Sequence, residues 1–246
     1  MRLDPAAGAA LARRSNVRVL RLDVEDPGSI EAAVASAAEH FQGVDVLVNN
    51  AGFGVAGVFE AIGAAKVLEQ FRVNLFGLMD VTRAVLPGMR ARRSGVIVNI
   101  SSGAGVFGLP TMSLYCSSKF AVEGFSEAFS YELAALGIAV KIIEPGGVPG
   151  TGFNGRTGAE AVAIAPIADY DGFLLEAEKV FVGLLDNAAG TTAAEVAEVI
   201  YAAATDGTDR LRYVATRDIA PWVAARRETS EEAYLATMRS VFVAAA

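Results

Sequence analysis

The sequence predicts an α/β protein with a parallel sheet whose strands are buried on both faces. Of its 246 residues, 53% are hydrophobic and only 20% are charged, which suits one domain, 1–246, with a large core. The segment Val44–Val48 is a short, almost continuous apolar run, as expected for a strand covered by helices on both sides. In Ser29–His40 the apolar residues instead recur at helical spacing. Strands and amphipathic helices are therefore expected to alternate along the chain.

The first half of the chain follows this alternation. Residues 4–14 are alanine-rich and suit a helix, and Val17–Val24 alternates as a strand does before a turn at Asp26. Helix Ser29–His40 and strand Val44–Val48 come next. Helical spacing of apolar residues then predicts a long helix over Val67–Val85, with Asn74 as a polar residue inside its apolar stripe.

The second half of the chain continues with three more predicted strands separated by helices. In chain order the predicted elements are strand Val96–Ile100, helix 113–136, strand Ile138–Ile143, a helix from the capping box Thr192-x-x-Glu195 to Thr205, strand Leu211–Val214, and helical segments through Trp222 and from Ser230.

Tyr115 and Lys119 are the first candidate catalytic pair. They are four residues apart on a predicted helix, so their side chains share one face. A fixed positive charge within about 4–6 Å lowers the pKa of a phenol, which is otherwise near 10. Tyr115 is therefore predicted to exchange a proton with a substrate oxygen. Ser102, at the end of strand Val96–Ile100, is predicted to hold the same oxygen as charge develops on it.

Two further motifs accompany this pair. Asn49-Asn50-Ala51-Gly52 follows the strand Val44–Val48, where small residues let a ligand approach the backbone. Asn74 lies in the helix that comes next. Ser102 precedes Tyr115 by thirteen positions. The residue types, their order and their spacing together form a recognisable pattern. Together they resemble the short-chain dehydrogenase/reductase family, over roughly residues 3–150 and more loosely beyond.

The resemblance implies a three-layer, doubly wound Rossmann-like fold and an NAD(P)-dependent oxidoreductase that interconverts a secondary alcohol and a ketone. By the same resemblance Asn74, Ser102, Tyr115 and Lys119 are catalytic. Lys119 also holds the cofactor ribose, and residues 150–190 form a lid over a small-molecule carbonyl or alcohol substrate. Candidates in this lid for lining an apolar pocket, or alternatively for core packing, are Phe153, Ile164, Ile167, Tyr170 and Phe173, so a largely apolar substrate is expected. The implied cofactor-binding residues are Asp23, Val24, Asn50, Ala51, Gly52, Tyr115, Lys119, Pro145, Gly146 and Val148. A homodimer or homotetramer through helices 66–85 and 113–136 is implied as well.

One family motif is not found in the sequence. Family members begin with a strand, a T-G-x-x-x-G-x-G turn and a helix that hold the cofactor pyrophosphate. We therefore expect an N-terminally incomplete fold, lacking the first strand–helix–strand unit. Either the sequence is a shortened form of a normal enzyme, or it is a non-catalytic remnant that acts as a scaffold or interaction partner. In both cases Val17–Val24 is expected either to pair with Val44–Val48 or to leave a vacant slot beside it.

Composition argues against several other classes of protein. The net charge of −7 disfavours a nucleic acid or an anionic membrane as partner. With one histidine and one cysteine, no His/Cys metal site is expected. No apolar run approaches the roughly 20 residues that span a bilayer, and the N-terminus lacks the apolar stretch of a signal peptide. We therefore expect a cytoplasmic protein that binds no metal.

Overall fold

A computed structural model describes residues 5–162 and 164–242. It contains four parallel strands, β1 (Val46–Asn49), β2 (Gly95–Ile100), β3 (Ile138–Glu144) and β4 (Arg212–Val214), which pair in the order β1-β2-β3-β4. The described helices are α1 (Pro5–Ala12), α2 (Pro27–Phe41), α3 (Ala64–Phe71), α4 (Leu78–Arg92), α5 (Ser113–Ala134), α6 (Gly152–Val162), α7 (Asp171–Asn187), α8 (Ala193–Thr205), α9 (Ala220–Glu228) and α10 (Glu231–Phe242). The predicted parallel α/β class is confirmed.

Helices cover both faces of the sheet, because alternate residues of each strand point to opposite sides. Ile97 of β2 packs with Val85 of α4 and Leu133 of α5. Its neighbour Val98 packs with Ala203 of α8. The result is three layers, with α4 and α5 on one face and α8 on the other.

A row of buried amides crosses the sheet on the side of α4 and α5. Asn49 and Asn99 occupy paired positions on β1 and β2, and Asn49 Nδ2 donates to Asn99 Oδ1 at 2.9 Å. Asn49 also donates to Thr82 Oγ1 of α4, and Asn99 donates to Ser126 Oγ of α5. Each amide is thus satisfied only in this strand register, so the row fixes how β1 pairs with β2.

The predicted strand Val17–Val24 is not formed, and this prediction is wrong. Residues 17–23 have no regular structure, and no strand among the described residues pairs with the outer edge of β1. A strand needs a neighbour to take its backbone hydrogen bonds, and this segment has none. The predicted pairing of Val17–Val24 with Val44–Val48 is therefore absent as well. Val46 and Val48 of β1 are 39% and 40% exposed.

The predicted long helix is interrupted by a π-helical segment, Arg72–Gly77, between α3 and α4. Asn74 lies in this segment, which shifts the helix phase by about one residue and is frequently found at functional sites. Asp26, predicted as part of a turn, is the N-cap of α2, because its carboxylate accepts from the Gly28 N–H. The predicted start of the first helix at Asp4 lies outside the described residues. No helix in the described ranges is long and apolar enough to cross a membrane.

Candidate active site

A cleft of about 1880 Å³ lies at the carboxyl ends of the strands, which is where ligands bind in open α/β sheets. One wall comes from the segments that follow β1, β2 and β3, and the other from α6, α7 and α8. Ser102, Tyr115 and Lys119 line it together, as predicted. The predicted cofactor-binding residues Asn50, Gly52, Pro145, Gly146 and Val148 also line it.

Tyr115 and Lys119 lie in the first two turns of α5 and are 7% and 6% exposed. Lys119 Nζ stands 5.8 Å from the centroid of the Tyr115 ring and donates a hydrogen bond to the Ile100 carbonyl at 2.8 Å. This bond ties the helix to the end of β2. The ammonium group is thereby held beside the phenol within the cleft.

Burial sets the protonation of both groups. It raises the pKa of the Tyr115 phenol above its usual value, against a smaller lowering effect of the Ser102 hydroxyl. The predicted lowering of this pKa by Lys119 is therefore wrong for this structure, because desolvation disfavours the phenolate. Burial also lowers the pKa of Lys119 to about 8, and the Glu123 carboxylate opposes that shift. Tyr115 is neutral and Lys119 is mostly cationic at pH 7.

Ser102 connects β2 to the loop that follows β3. Its Oγ accepts from the Ala104 N–H at 3.1 Å and donates to the Pro145 carbonyl at 3.4 Å. The Gly103 N–H donates to the same carbonyl at 2.9 Å. Because the Ser102 hydroxyl also interacts with Tyr115, one residue joins the loop to the phenol.

Asn74 does not line the cleft and acts on its wall instead. It is 1% exposed; its Oδ1 accepts from the Phe53 N–H at 3.0 Å, while its Nδ2 donates to the Phe53 carbonyl and to Ser118 Oγ. Gly52, just before Phe53, leaves little room for a side chain. A Cβ there would lie 3.3 Å from Asn74 Oδ1 and 3.7 Å from Lys119 Nζ.

Gln70, together with Asn74, holds the backbone at Phe53, and sequence reasoning missed it. It is fully buried one turn before Asn74; its Oε1 accepts from the Val55 N–H at 3.0 Å and its Nε2 donates to the Phe53 carbonyl. The signal available in the sequence was a second amide four residues before Asn74 in the apolar stripe. The two amides together fix the backbone of residues 53–55.

The loop after β3 is held by two side chains that the sequence did not indicate. The Gly146 N–H donates to Thr216 Oγ1 at 2.8 Å, and the Gly147 N–H donates to Asp218 Oδ2 at 2.9 Å. Thr151 Oγ1 donates to the Val148 carbonyl at 3.0 Å. The loop therefore has a defined shape where it lines the cleft.

Three predicted cofactor-binding residues do not line the cleft. Asp23 Oδ1 accepts from the Glu25 N–H at 3.1 Å. Val24 is 8% exposed and packs so closely on Gly77 that a Cβ there would lie 2.8 Å from its side chain. Ala51 packs against the apolar cluster that contains Val24.

Residues 150–190, which were predicted as a lid, contain α6 and α7 with a 3₁₀ turn, Ala168–Tyr170, between them. Phe153, Ile164 and Ile167 line the cleft as predicted. Tyr170 instead donates its hydroxyl to Glu60, and Phe173 is 44% exposed. Both were predicted as candidates for the apolar lining, and neither contributes to it.

Ion pairs connect α6 to the opposite rim of the cleft. Lys66 Nζ lies 2.8 Å from Glu160, and Arg156 lies 3.3 Å from Glu69. The Arg156 guanidinium also stacks over the Phe53 ring, 3.7 Å from its centroid. These contacts hold α6 against α3 and Phe53.

Comparison with known proteins agrees with this geometry. The family described as short chain dehydrogenase matches residues 3–161. An uncharacterized oxidoreductase of Schizosaccharomyces pombe is 37% identical over 237 residues, which are 96% of this chain and 97% of the relative. Human retinol dehydrogenase 8 is 42% identical over 155 residues, 63% of this chain and 48% of that protein. A crystal structure of a short-chain dehydrogenase/reductase from Burkholderia phymatum in complex with NAD has a TM-score of 0.74 at 27% identity, with 92% of this chain and 82% of that one covered.

The chain belongs to the short-chain dehydrogenase/reductase family and is an enzyme of that oxidoreductase class. The predicted family membership and Rossmann-like fold are confirmed.

Proposed function

We propose that this protein is an NAD(P)-dependent oxidoreductase that interconverts a secondary alcohol and a ketone. The observation that carries the proposal is the meeting of Ser102, Tyr115 and Lys119 in one cleft at the carboxyl ends of the strands. The NAD-bound relative from Burkholderia phymatum supports the choice of cofactor.

The residues present fit the nicotinamide end of such a cofactor. Gly52 leaves open backbone next to Lys119, and the loop Pro145–Val148 faces the same space. In this proposal Lys119 donates to ribose hydroxyls, and Asn50 and Gly52 form the wall beside them. The bound cofactor supplies or accepts the hydride at the carbon of the alcohol or ketone.

The chain's own residues handle the proton. In this proposal Ser102 Oγ holds the substrate oxygen, and the Tyr115 hydroxyl gives it a proton during reduction or takes one during oxidation. Burial keeps Tyr115 protonated, which is the state that reduction needs before the proton is transferred. Lys119 stabilises the phenolate that remains. Asn74 acts indirectly, by holding the backbone beside Lys119.

The lining of the cleft favours a largely apolar substrate. Apart from the proposed catalytic groups, the walls of the cleft are largely aliphatic or aromatic, with Phe107, Met112, Phe153, Ile164, Phe181 and Trp222 among them. The name of the relative retinol dehydrogenase 8 agrees with an apolar alcohol. We assign substrate binding to the lid region 150–190.

Replacement of Tyr115 tests the proposal. Tyr115→Phe removes the hydroxyl and keeps the ring, so NAD(P)H oxidation with a panel of apolar ketones is expected to fall by about 10²- to 10⁴-fold. Tyr201→Phe, at a 72% exposed position on α8, is the matched control and is expected to keep full turnover. Undiminished turnover in Tyr115→Phe would overturn the assignment. Wild-type protein that binds neither NAD(H) nor NADP(H) by calorimetry would favour the non-catalytic scaffold instead.

We also propose that the protein forms a homodimer or homotetramer through helices 66–85 and 113–136. Four large apolar or aromatic side chains on these helices are exposed by 43–70%, namely Leu68, Phe76, Phe120 and Tyr131. The double variant Leu68→Glu/Phe120→Glu is expected to sediment as a monomer, and Leu175→Glu on α7 to behave as the wild type. A wild-type protein that sediments as a monomer would reject this assembly.

A further inference from the structure

A cluster of charged side chains ties the catalytic helix to the sheet. Arg212 of β4 lies 2.9 Å from Glu123 Oε2 and 2.5 Å from Glu127 Oε2, both on α5. It also lies 3.7 Å from Glu144 Oε1 at the end of β3. Arg227 of α9 binds both oxygens of Glu144, at 3.0 and 2.6 Å. Glu144 directly precedes the loop that lines the cleft.

The charges of this cluster do not cancel. Three carboxylates, Glu123, Glu127 and Glu144, face two guanidinium groups, which leaves one negative charge. Lys119 stands one turn before Glu123 on α5 and supplies one positive charge. With Lys119 included, the sum of these formal charges is zero. Glu127 is exposed, so the buried carboxylates that need a counter-charge are Glu123 and Glu144.

Glu123 is the member of the cluster that lies next to the catalytic machinery. It is 7% exposed, and its second oxygen, Oε1, is buried and has no hydrogen-bond partner among the described residues. Ser101, the neighbour of Ser102, lies beside it. A Cβ on Gly105 would stand 2.6 Å from Ser101 Oγ, 3.1 Å from Glu123 Cγ and 3.1 Å from the Lys119 carbonyl. Only one of the two carboxylate oxygens is therefore compensated by a hydrogen bond.

We propose that Glu123 is a positioning residue whose buried carboxylate acts as the counter-charge that keeps Lys119 an ammonium ion. This role rests on the proposed function, since the ammonium form is what holds a ribose and stabilises a phenolate. The carboxylate acts through its charge. Burial raises the pKa of Glu123, and the Arg212 guanidinium opposes that shift and holds the carboxylate in place. Glu127 shares the same arginine but lies a further turn from Lys119.

Other groups around Lys119 do not substitute for Glu123. On α5, burial raises the pKa values of Tyr115 and Cys116, so both are neutral at pH 7. Ser101 and Ser102 at the end of β2 do not titrate in this range. Glu144 of β3 is neutralised by Arg227 of α9 and by Arg212 of β4, and Asp218 after β4 is bound to the Gly147 N–H. Within the described residues, Glu123 is the charged group that raises the pKa of Lys119 against burial.

Carbon NMR of the lysine side chains tests the proposal without any assay of activity. The sequence has four lysines, Lys66, Lys119, Lys141 and Lys179, so labelled Cε signals can be assigned by single substitutions such as Lys119→Met. In Glu123→Gln the titration midpoint of Lys119 is expected to move to lower pH by about one unit, because an opposite charge has been removed. In Glu127→Gln, the matched control, it is expected to stay near the wild-type value.

An unchanged midpoint in Glu123→Gln, or an equal shift in both variants, overturns the proposal. If Glu123→Gln does not fold, Glu123→Asp takes its place, and a smaller shift in the same direction is expected because the charge is kept farther away. An unchanged midpoint in Glu123→Asp then overturns it. A kinetic measurement accompanies the NMR titration. The pH at which the rate of ketone reduction declines on the alkaline side should shift with the NMR midpoint. Loss of that correlation alone would count against the proposed function rather than against the pairing of the two charges.

Discussion

The ring of Phe153 on α6 lies 5.4 Å from the ring of Tyr115 on α5. The lid thus contacts the side chain that is proposed to transfer the proton. This contact covers one side of the phenol and contributes to the burial that raises its pKa. The segment proposed as a lid therefore contributes to keeping Tyr115 protonated.

Phe153→Ala is expected to raise the KM for apolar ketones by roughly five- to tenfold, because an aromatic contact with its buried area contributes about 1 kcal/mol or more. Steady-state kinetics with a short and a long apolar ketone measures the effect. Phe173→Ala, at a 44% exposed position on α7, is the control that should leave KM unchanged. Equal KM values in both variants would show that Phe153 does not contact the substrate side of the cleft.

The rate of ketone reduction by the wild type is expected to fall as the pH rises through about 8, the pKa of Lys119. Burial lowers this pKa from that of an ordinary lysine, so the positive charge is lost at a lower pH than usual. Tyr115, whose pKa is raised, remains protonated throughout this window. A pH profile of kcat/KM that stays flat to pH 10 would contradict the role of the Lys119 charge.

Gln70→Ala is expected to reduce the free energy of unfolding by about 2–3 kcal/mol, because it leaves the Val55 N–H and one bond of the Phe53 carbonyl unsatisfied in the interior. Urea denaturation measures this loss. Glu132→Ala, at an exposed position on α5, should change stability by less than about 0.5 kcal/mol. A Gln70→Ala variant as stable as the control would mean that the backbone of residues 53–55 finds other partners.

Asp218→Ala is expected to raise the KM for NAD(P)H by about tenfold, since the Gly147 N–H loses its acceptor and the loop beside the cofactor loses its defined shape. Asp218→Asn keeps an acceptor oxygen and should restore most of the affinity. Asp209→Ala, at an exposed position, serves as the control. If Asp218→Asn raises the KM for NAD(P)H as much as Asp218→Ala does, the negative charge of Asp218 rather than its hydrogen bond determines the affinity.

Local pattern was enough to predict the strands β1 to β4 and most of the helices, because each carries its own periodicity. It failed at Val17–Val24, where alternation is present but no neighbouring strand completes the ladder. The predicted direction of the Tyr115 pKa shift was also wrong, since the pKa is raised and not lowered. Sequence spacing places a lysine near the phenol, but it does not reveal how deeply both are buried.

The supporting residues of the site were not predictable for a related reason. Asp218 lies 71 positions from Gly147, and Asn99 lies 50 from Asn49. Nothing in the local sequence around either residue indicates its distant partner. Gln70 is the exception, since its position one turn before Asn74 was visible in the helical pattern.

The strand order has a consequence for how the chain reaches this structure. Each described strand pairs with the strand that comes next in the sequence, and the intervening helices complete parallel crossover units. Such a sheet can be extended from one side while the polypeptide is still emerging from the ribosome. The Asn49–Asn99 amide bond joins only β1 and β2, so the contacts that fix the register of this strand pair do not depend on β3 or β4.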